Sequence, residues 1–229
     1  MEIIHATGVE GARQARGIAV VIDVLRSFTV SAYALAGGAR ECRLVTTTDE
    51  ARALAASAPE AVICAEEDGL PVQGIAISNS PTQIREIDLN GRVLVQRSSA
   101  GTPVAASVRA GVDIFAASLV VARATVLACL AMRPATLTLI ASADYPEDHA
   151  CAHYMEAMIH GATPDIERLL QPLKKSERYA QLKSGAWPGF PPTDLELALD
   201  PDRFGFAMPV ARADGYLRLT MADQAGSNV

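Results

Sequence analysis

The stretch Ile18-Ala19-Val20-Val21-Ile22-Asp23-Val24-Leu25-Arg26-Ser27-Phe28-Thr29 decides the fold class of this chain. Residues 18–22 are apolar throughout and β-branched at four of five positions, which is the composition of a strand covered on both faces, in the middle of an α/β sheet. Residues 28–36 follow with Val30, Tyr33, Ala34 and Leu35 available for a buried face, and Gly37-Gly38 stops what reads as a helix. Residues 23–27 are then a strand-to-helix loop, and ligands of open α/β sheets bind outside the carboxyl ends of strands, where such loops lie. Asp23 has the chemistry to hold a cation or take a proton, and Arg26 to clamp an anion through two parallel hydrogen bonds. A helix-capping Asp and an Arg paired with a surface carboxylate are the alternative reading of the same two residues.

The rest of the chain repeats this pattern in kind. Strands are expected at 41–45, 61–65, 92–96, 113–116 and 136–141, alternating with helices at 48–57, 101–109 and 123–132. Such alternation argues for a layered α/β fold with a largely parallel sheet. Beyond residue 145 the texture changes. A long helix is expected at 147–160, another starting at Thr163-Pro164-Asp165 with Pro at its first position, and a third at 174–183. Trp187-Pro188-Gly189-Phe190-Pro191-Pro192 reads as an ordered turn, residues 206–211 and 216–220 as a terminal hairpin, and residues after Met221 as frayed. No linker obliges a split, so residues 1–229 are expected to form one domain.

Composition narrows the class of function. The 229 residues are 50% hydrophobic and 20% charged, as in a soluble globular protein with a sizeable core. A net charge of −6 with scattered Lys and Arg leaves no basic footprint for nucleic acid. No apolar run approaches the ~20 residues of a membrane span, and Met1-Glu2-Ile3-Ile4-His5 lacks the form of a signal peptide, so a cytoplasmic location is expected. Cys42, Cys64, Cys129 and Cys151 form no Cys-x-x-Cys pair and read as buried free thiols.

Four polar loops, 23–27, 66–69, 96–102 and 142–148, follow apolar strands, and parallel strands would gather them at one sheet edge. Ser78-Asn79-Ser80-Pro81 lies between them and starts a helix with Ser80 as N-cap and Pro81 at the first position, which by itself explains the motif. Asp23-Val24-Leu25-Arg26, Glu66 at a strand end, Gly74 with Asn79-Ser80-Pro81, Gly101-Thr102, Glu147-Asp148 with Cys151-Ala152, and Asp214-Gly215 occur in this order. In that order and spacing the set resembles the 2-phosphosulfolactate phosphatase family, Mg²⁺-dependent hydrolases known from coenzyme M biosynthesis. The resemblance spans nearly the whole chain. It implies a three-layer α/β/α fold with a largely parallel or mixed central sheet, and a small phosphate monoester bearing a further acidic group as substrate.

Three departures stand beside these matches. The family's Gly-Glu-Arg-Gly-Gly appears as Ala65-Glu66-Glu67-Asp68-Gly69, its Gly-Phe-Asp as Gly74-Ile75-Ala76, and its Thr-Thr-Asn-Gly-Thr as Ser98-Ser99-Ala100-Gly101-Thr102. A basic residue, an aspartate and an asparagine are thereby lost, while Arg97 adds a positive charge next to the last loop.

Phosphate-monoester hydrolysis needs charge neutralised on the phosphoryl oxygens and a water held in line. Mg²⁺ takes oxygen ligands, one or two of them carboxylates. Asp23, Glu66, Glu147 and Asp148 are the candidate metal ligands, with Asp23, Arg26 and Glu66 the catalytic candidates and a carboxylate off the metal available as general base. Arg26, Asn79, Ser80, Arg97, Ser98, Ser99, Gly101 and Thr102 are the candidate substrate contacts. Each has a structural alternative: acids at 147 and 148 suit a helix N-terminus, the 66–68 run a solvated surface, and Ser98 or Ser99 a helix cap. His149, His153 and Glu156 share one helix face, but the Glu of a zinc-protease motif is absent, so that face reads as surface or core edge. The expected partner is a small phosphorylated anion, with a homo-oligomer also open. A catalytically silent small-anion-binding protein of the same fold is the alternative function.

Overall fold

In the computed structural model, which describes residues 1–223, every position of the 18–22 run is buried. The elements in chain order are β1 (Glu2–Thr7), α1 (Gly8–Arg13), β2 (Ile18–Ile22), α2 (Ser27–Ala36), β3 (Glu41–Val45), α3 (Thr48–Ala56), β4 (Ala61–Glu67), β5 (Leu70–Pro71), α4 (Pro81–Ile84), β6 (Val93–Arg97) and α5 (Gly101–Ser107). They continue with β7 (Asp113–Ala117), α6 (Ala122–Ala131), β8 (Thr136–Ala141), α7 (Pro146–Ile159), α8 (Ile166–Leu169), α9 (Gln171–Lys174), α10 (Glu177–Lys183), α11 (Thr193–Ala198), β9 (Phe206–Ala213), β10 (Tyr216–Leu219) and β11 (Ala222–Asp223).

The two-fold period of β2 divides the interior. Ala19 and Val21 join a core with residues of α1, α2, α4 and α5, whereas Ile18, Val20 and Ile22 join another with residues of α6, α7 and α9. A central mixed sheet with helices on both faces results, as a three-layer α/β/α fold requires. All four cysteines are free and buried, and burial pushes the Cys64 and Cys129 thiols up to about 12. They are inert at neutral pH.

The strand order is β1-β8-β2-β7-β9-β10-β3-β6-β4-β5, with β11 added to β9. β1, β8, β2 and β7 are mutually parallel, as are β3, β6 and β4, but β9 and β10 join the two groups through antiparallel pairings on every side. The hairpin expected at the chain's end is therefore the centre of the sheet. Helix α2 packs against both groups, touching β7 as well as β3 and β6. β6 starts beside the end of α2, where Gly91 N donates to Gly38 O at 2.9 Å, and finishes beside its start, where Gln96 Nε2 donates to Ser27 O at 2.7 Å. Sheets twist by about 20–25° per strand pair, and the contacts that both strand groups make with α2 bring the ends of β2 and β6 together despite the reversals. The polar loops do gather, but by wrapping a helix rather than by lying along one edge of a wholly parallel sheet.

Local signals behave unevenly. Ser80 caps α4 as expected, its Oγ accepting from Gln83 N at 3.3 Å, with Pro81 at the first position. Pro164 does not start α8; Asp165 caps it instead, accepting from Arg168 N at 3.1 Å. The helix expected at 174–183 is two helices, because Ser176 stops one and caps the next by accepting from Tyr179 N at 3.1 Å. Glu66 lies within β4, not in the loop after it. β1 and α1 carried no clear pattern, the first a half-exposed edge strand and the second a short helix entered through Gly8. Ala222 and Asp223, expected to be frayed, pair with β9; the remainder of that expectation concerns residues 224–229, outside the described residues. No helix among the described residues is long and apolar enough to cross a membrane.

Candidate active site

Every residue of α2 from Ser27 to Leu35 is buried, so its first turn can meet strand ends from both halves of the sheet. A cleft of about 450 Å³ opens there. Asp23, Arg26, Glu66, Asn79, Ser98 and Ser99 line it, joined by Ser142, Tyr145, Arg178, Trp187 and Phe190. Of the expected site residues, Ser80, Arg97, Gly101, Thr102, Glu147 and Asp148 lie behind that wall.

Asp23 closes the turn into α2, its Oδ1 accepting from Ser27 N at 2.9 Å. Burial raises its pKa from 3.8 to about 6; the Glu66 and Glu147 charges add to this, against the amides of Ser27 and Gly101. Gly101 opens α5 against this carboxylate, and a Cβ there would stand 2.6 Å from Asp23 Oδ2 and 3.0 Å from Ser27 Cβ. Its backbone would accept alanine, so the constraint is the approach to Asp23. Gly101→Ala is therefore expected to displace Asp23, cut turnover at least about tenfold and cost about 1–3 kcal/mol of stability, as overpacking a buried site does; steady-state kinetics beside a thermal melt would check both.

The other acids divide into two kinds. Glu66 is bonded on both oxygens: Oε1 accepts from Ser99 N at 2.5 Å, and Oε2 from Gly69 N at 2.5 Å and Ser99 Oγ at 3.2 Å. It staples the β4–β5 hairpin to the loop after β6. Asp148 likewise joins the β2 and β8 loops, accepting from Val24 N at 2.8 Å through Oδ1 and from Ser142 N and Oγ at 3.1 and 2.7 Å through Oδ2. Burial, then the charges of Asp23 and Glu147, push its carboxyl well above the usual range despite those donors. Glu147 differs: it is fully buried, one oxygen meets Arg178, and Oε2 has no hydrogen-bond partner among the described residues. A buried carboxylate oxygen without a donor is costly unless a cation or water meets it.

The arginines also separate. Arg26 is fixed through Nη1 alone, which donates to Asp194 Oδ2 at 2.8 Å and Gly189 O at 2.7 Å, with its guanidinium 4.4 Å from the Phe190 ring centroid. Among the described residues Nε and Nη2 make no hydrogen bond, which leaves donors for an anion in the cleft. Arg97, expected to hold substrate, instead braces a loop by donating to the Glu66 carbonyl and to Ser99 Oγ. Ser80, another expected contact, is occupied as a cap and as donor to Asp194 Oδ1 at 2.8 Å. Thr102 locks the turn before α5, its amide donating to Ser98 Oγ at 3.0 Å and its hydroxyl to Ser98 O at 3.0 Å. Asn79 Oδ1 accepts from Gln96 Nε2 at 2.9 Å.

Sequence reasoning missed Asp194, Gln96, Arg178, Tyr145 and the two aromatic residues Trp187 and Phe190. Gln96 ends an apolar strand and so carried a signal, a buried amide that must find partners. Asp194 carried none, since an acid in a helix's first turn is ordinary.

A curved α/β/α sheet whose strand ends bring buried acids, hydroxyls and a half-engaged arginine to one cleft is the build of a phosphatase-like hydrolase. The family described as 2-phosphosulpholactate phosphatase matches residues 5–183. The chain belongs to the 2-phosphosulfolactate phosphatase family. A protein of Bacillus subtilis named probable 2-phosphosulfolactate phosphatase is 33% identical over 162 residues, covering 66% of this chain and 70% of that protein. Proteins of the same name from Deinococcus radiodurans and Thermotoga maritima are each 35% identical, over 85 and 100 residues. Those matches cover 37% and 44% of this chain, and 35% and 43% of the two proteins, so the chain spans less than half of each.

Proposed function

We propose that the cleft hydrolyses a small phosphate monoester carrying a carboxylate or sulfonate, 2-phosphosulfolactate among the candidates, with Mg²⁺ as cofactor. The observation that carries this reading is the pairing, across one cleft, of Asp23 with the Arg26 donors left open among the described residues, backed behind the cleft wall by Glu147, whose charge reaches Asp23 and whose Oε2 has no partner among those residues. A donor set of carboxylate oxygens suits Mg²⁺, a hard cation. Asp23 and Glu147 would hold the ion, whereas Glu66 and Asp148 spend their oxygens on backbone amides and keep the loops in place. When bound, the ion supplies charge neutralisation on phosphoryl oxygens and a more acidic water.

The chain's own residues bind and orient. Arg26 presents Nε and Nη2 to anionic oxygens, held in one pose by Asp194 and Phe190. Ser98 Oγ accepts from the Thr102 amide at 3.0 Å and donates to Thr102 Oγ1 at 3.4 Å, a long bond that the hydroxyl would exchange for a phosphoryl oxygen when substrate binds. Trp187 and Phe190 form the apolar side of the cleft and exclude water from it. The carboxylate or sulfonate end of the substrate is assigned to Arg178, whose guanidinium lies 4.2 Å from the Tyr145 ring centroid. We place the protein in the cytoplasm, where four free thiols stay reduced.

The test is phosphate release from a panel of small phosphorylated carboxylic and sulfonic acids, expected with Mg²⁺ and lost with EDTA. Robust turnover without metal would overturn the cofactor assignment. Ala76 and Ala100, where the family's polar residues are lost, favour a second reading, an anion binder without turnover. Saturable binding of those acids with no phosphate released would establish it.

A stability measurement checks the ion independently. Asp23 and Asp148 have raised folded-state pKa values, so their contribution to stability is present below the unfolded values and is lost as pH rises, through about 6 for Asp23. Bound Mg²⁺ offsets the repulsion that appears above that range. Mg²⁺ is therefore expected to raise the melting temperature by several degrees at pH 8, about 2–4 °C per kcal/mol, and by much less at pH 5.

A further inference from the structure

The chain has four histidines; His149 and His153 share one face of α7 with Glu156, and His160 is the residue that closes the helix. The sequence reading took this face as surface or core edge, and His149 is occupied there, its Nε2 pairing with Asp144 Oδ1 at 2.8 Å. His5 on β1 takes its place. His5 Nε2 lies 3.0 Å from Glu156 Oε2, and His153 Nδ1 lies 3.5 Å from the same oxygen. The three ligand atoms all fall within 4.8 Å of one another.

We propose that His5, His153 and Glu156 form a second metal site, for a zinc-class divalent cation, separate from the acid-lined cleft. Four ligands around Zn²⁺ at about 2.0–2.1 Å stand roughly 3.3 Å apart, so the observed spacing needs only small side-chain rotations. Two imidazole nitrogens and one carboxylate oxygen suit Zn²⁺ rather than Mg²⁺, which prefers oxygen ligands and retained waters. The rings stack with centroids 4.8 Å apart and planes at 29°, an arrangement that two imidazolium cations would resist and two neutral, metal-binding rings accept.

Two imidazoles from elements distant in the chain, β1 and α7, converge on the same Glu156 oxygen, so all three ligand atoms already face one point. The side chains of His5 and Glu156 are about one-third exposed and that of His153 is 56% exposed, which leaves the fourth position open to water. β1 pairs only with β8 among the described residues, so an ion here ties the sheet's edge strand to α7. From Glu147 to His153 is roughly 9 Å along the helix axis, far enough to keep the two sites chemically distinct.

The experiment is calorimetric titration of the chelator-stripped full chain with Zn²⁺ in excess Mg²⁺, followed by Co²⁺ titration read in the visible absorption. One Zn²⁺ per chain is expected. His5→Ala and His153→Ala should each weaken it by more than the 10–100-fold that loss of an outer partner costs, and abolish the Co²⁺ absorption. Asp23→Asn and His149→Ala should retain both, and His153→Ala should keep the wild-type rate of phosphate release. Absence of stoichiometric Zn²⁺ binding, or binding that survives His153→Ala, overturns the proposal. Binding lost in Asp23→Asn but kept in His153→Ala overturns it too, by placing the ion in the cleft.

Discussion

Asp23→Asn is expected to lower phosphate release by about 10³-fold, in the range that loss of a single catalytic acid–base or electrostatic group costs, while the protein stays folded. The substitution is chosen because asparagine keeps an oxygen to accept from Ser27 N, the bond that closes the turn into α2. What it removes is the negative charge at the cleft wall. The stability of the two proteins without metal should diverge with pH in a defined direction. The folded-state pKa of Asp23 is raised to about 6 from 3.8, so its favourable contribution is complete below the unfolded value and vanishes as pH rises through about 6. Wild type therefore loses ground to D23N between about pH 4 and pH 7, measurable as the difference in urea midpoints. A difference that is flat with pH would show that Asp23 is not the buried, charge-crowded group described here, and near-normal turnover would remove it from the catalytic set.

Asp194→Ala is expected to cost about 3–5 kcal/mol of stability, the range for breaking a buried ion pair from one side. Asp194 is fully buried and accepts from Arg26 Nη1 and Ser80 Oγ at 2.8 Å and from Thr82 N at 3.0 Å. Its loss leaves the Arg26 guanidinium, whose side chain is 4% exposed, as an uncompensated charge and leaves two further donors unmet. The melting temperature should drop by roughly 10 °C, and the protein that remains folded should bind anions weakly because Arg26 has lost its pose. A cost below about 1 kcal/mol would mean that solvent reaches the pair and that the clamp is not structural.

The contrast between Arg26 and Arg97 shows how far the site was legible. Both stand at strand ends beside polar loops, and both read as anion holders. Arg26 lies in the cleft because the 163-residue separation to Gly189 is closed by packing, whereas Arg97 is drawn to the Glu66 carbonyl on the neighbouring strand. The acids show the same limit. Glu147 and Asp148 are adjacent, yet Asp148 meets three donors from two loops, whereas one Glu147 oxygen meets none among the described residues. Which neighbour is free depends on where α7 starts relative to β2 and β8, a relation no local pattern contains.

The sequence by itself determined the α/β class, the doubly covered β2, the helix that follows it, the Ser80-Pro81 cap and the loops that carry the polar groups. Those features are encoded within a few residues, by side-chain period and by hydrogen bonds between near neighbours. Only the tertiary structure decided that the β9–β10 hairpin lies at the centre of the sheet, that the strands reverse there and curl around α2, that Asp194 holds Arg26, and that His5 meets His153 and Glu156. These depend on contacts between residues distant in the chain, chosen by which apolar faces bury one another, and the period of a strand says which face it buries but not which strand lies beside it.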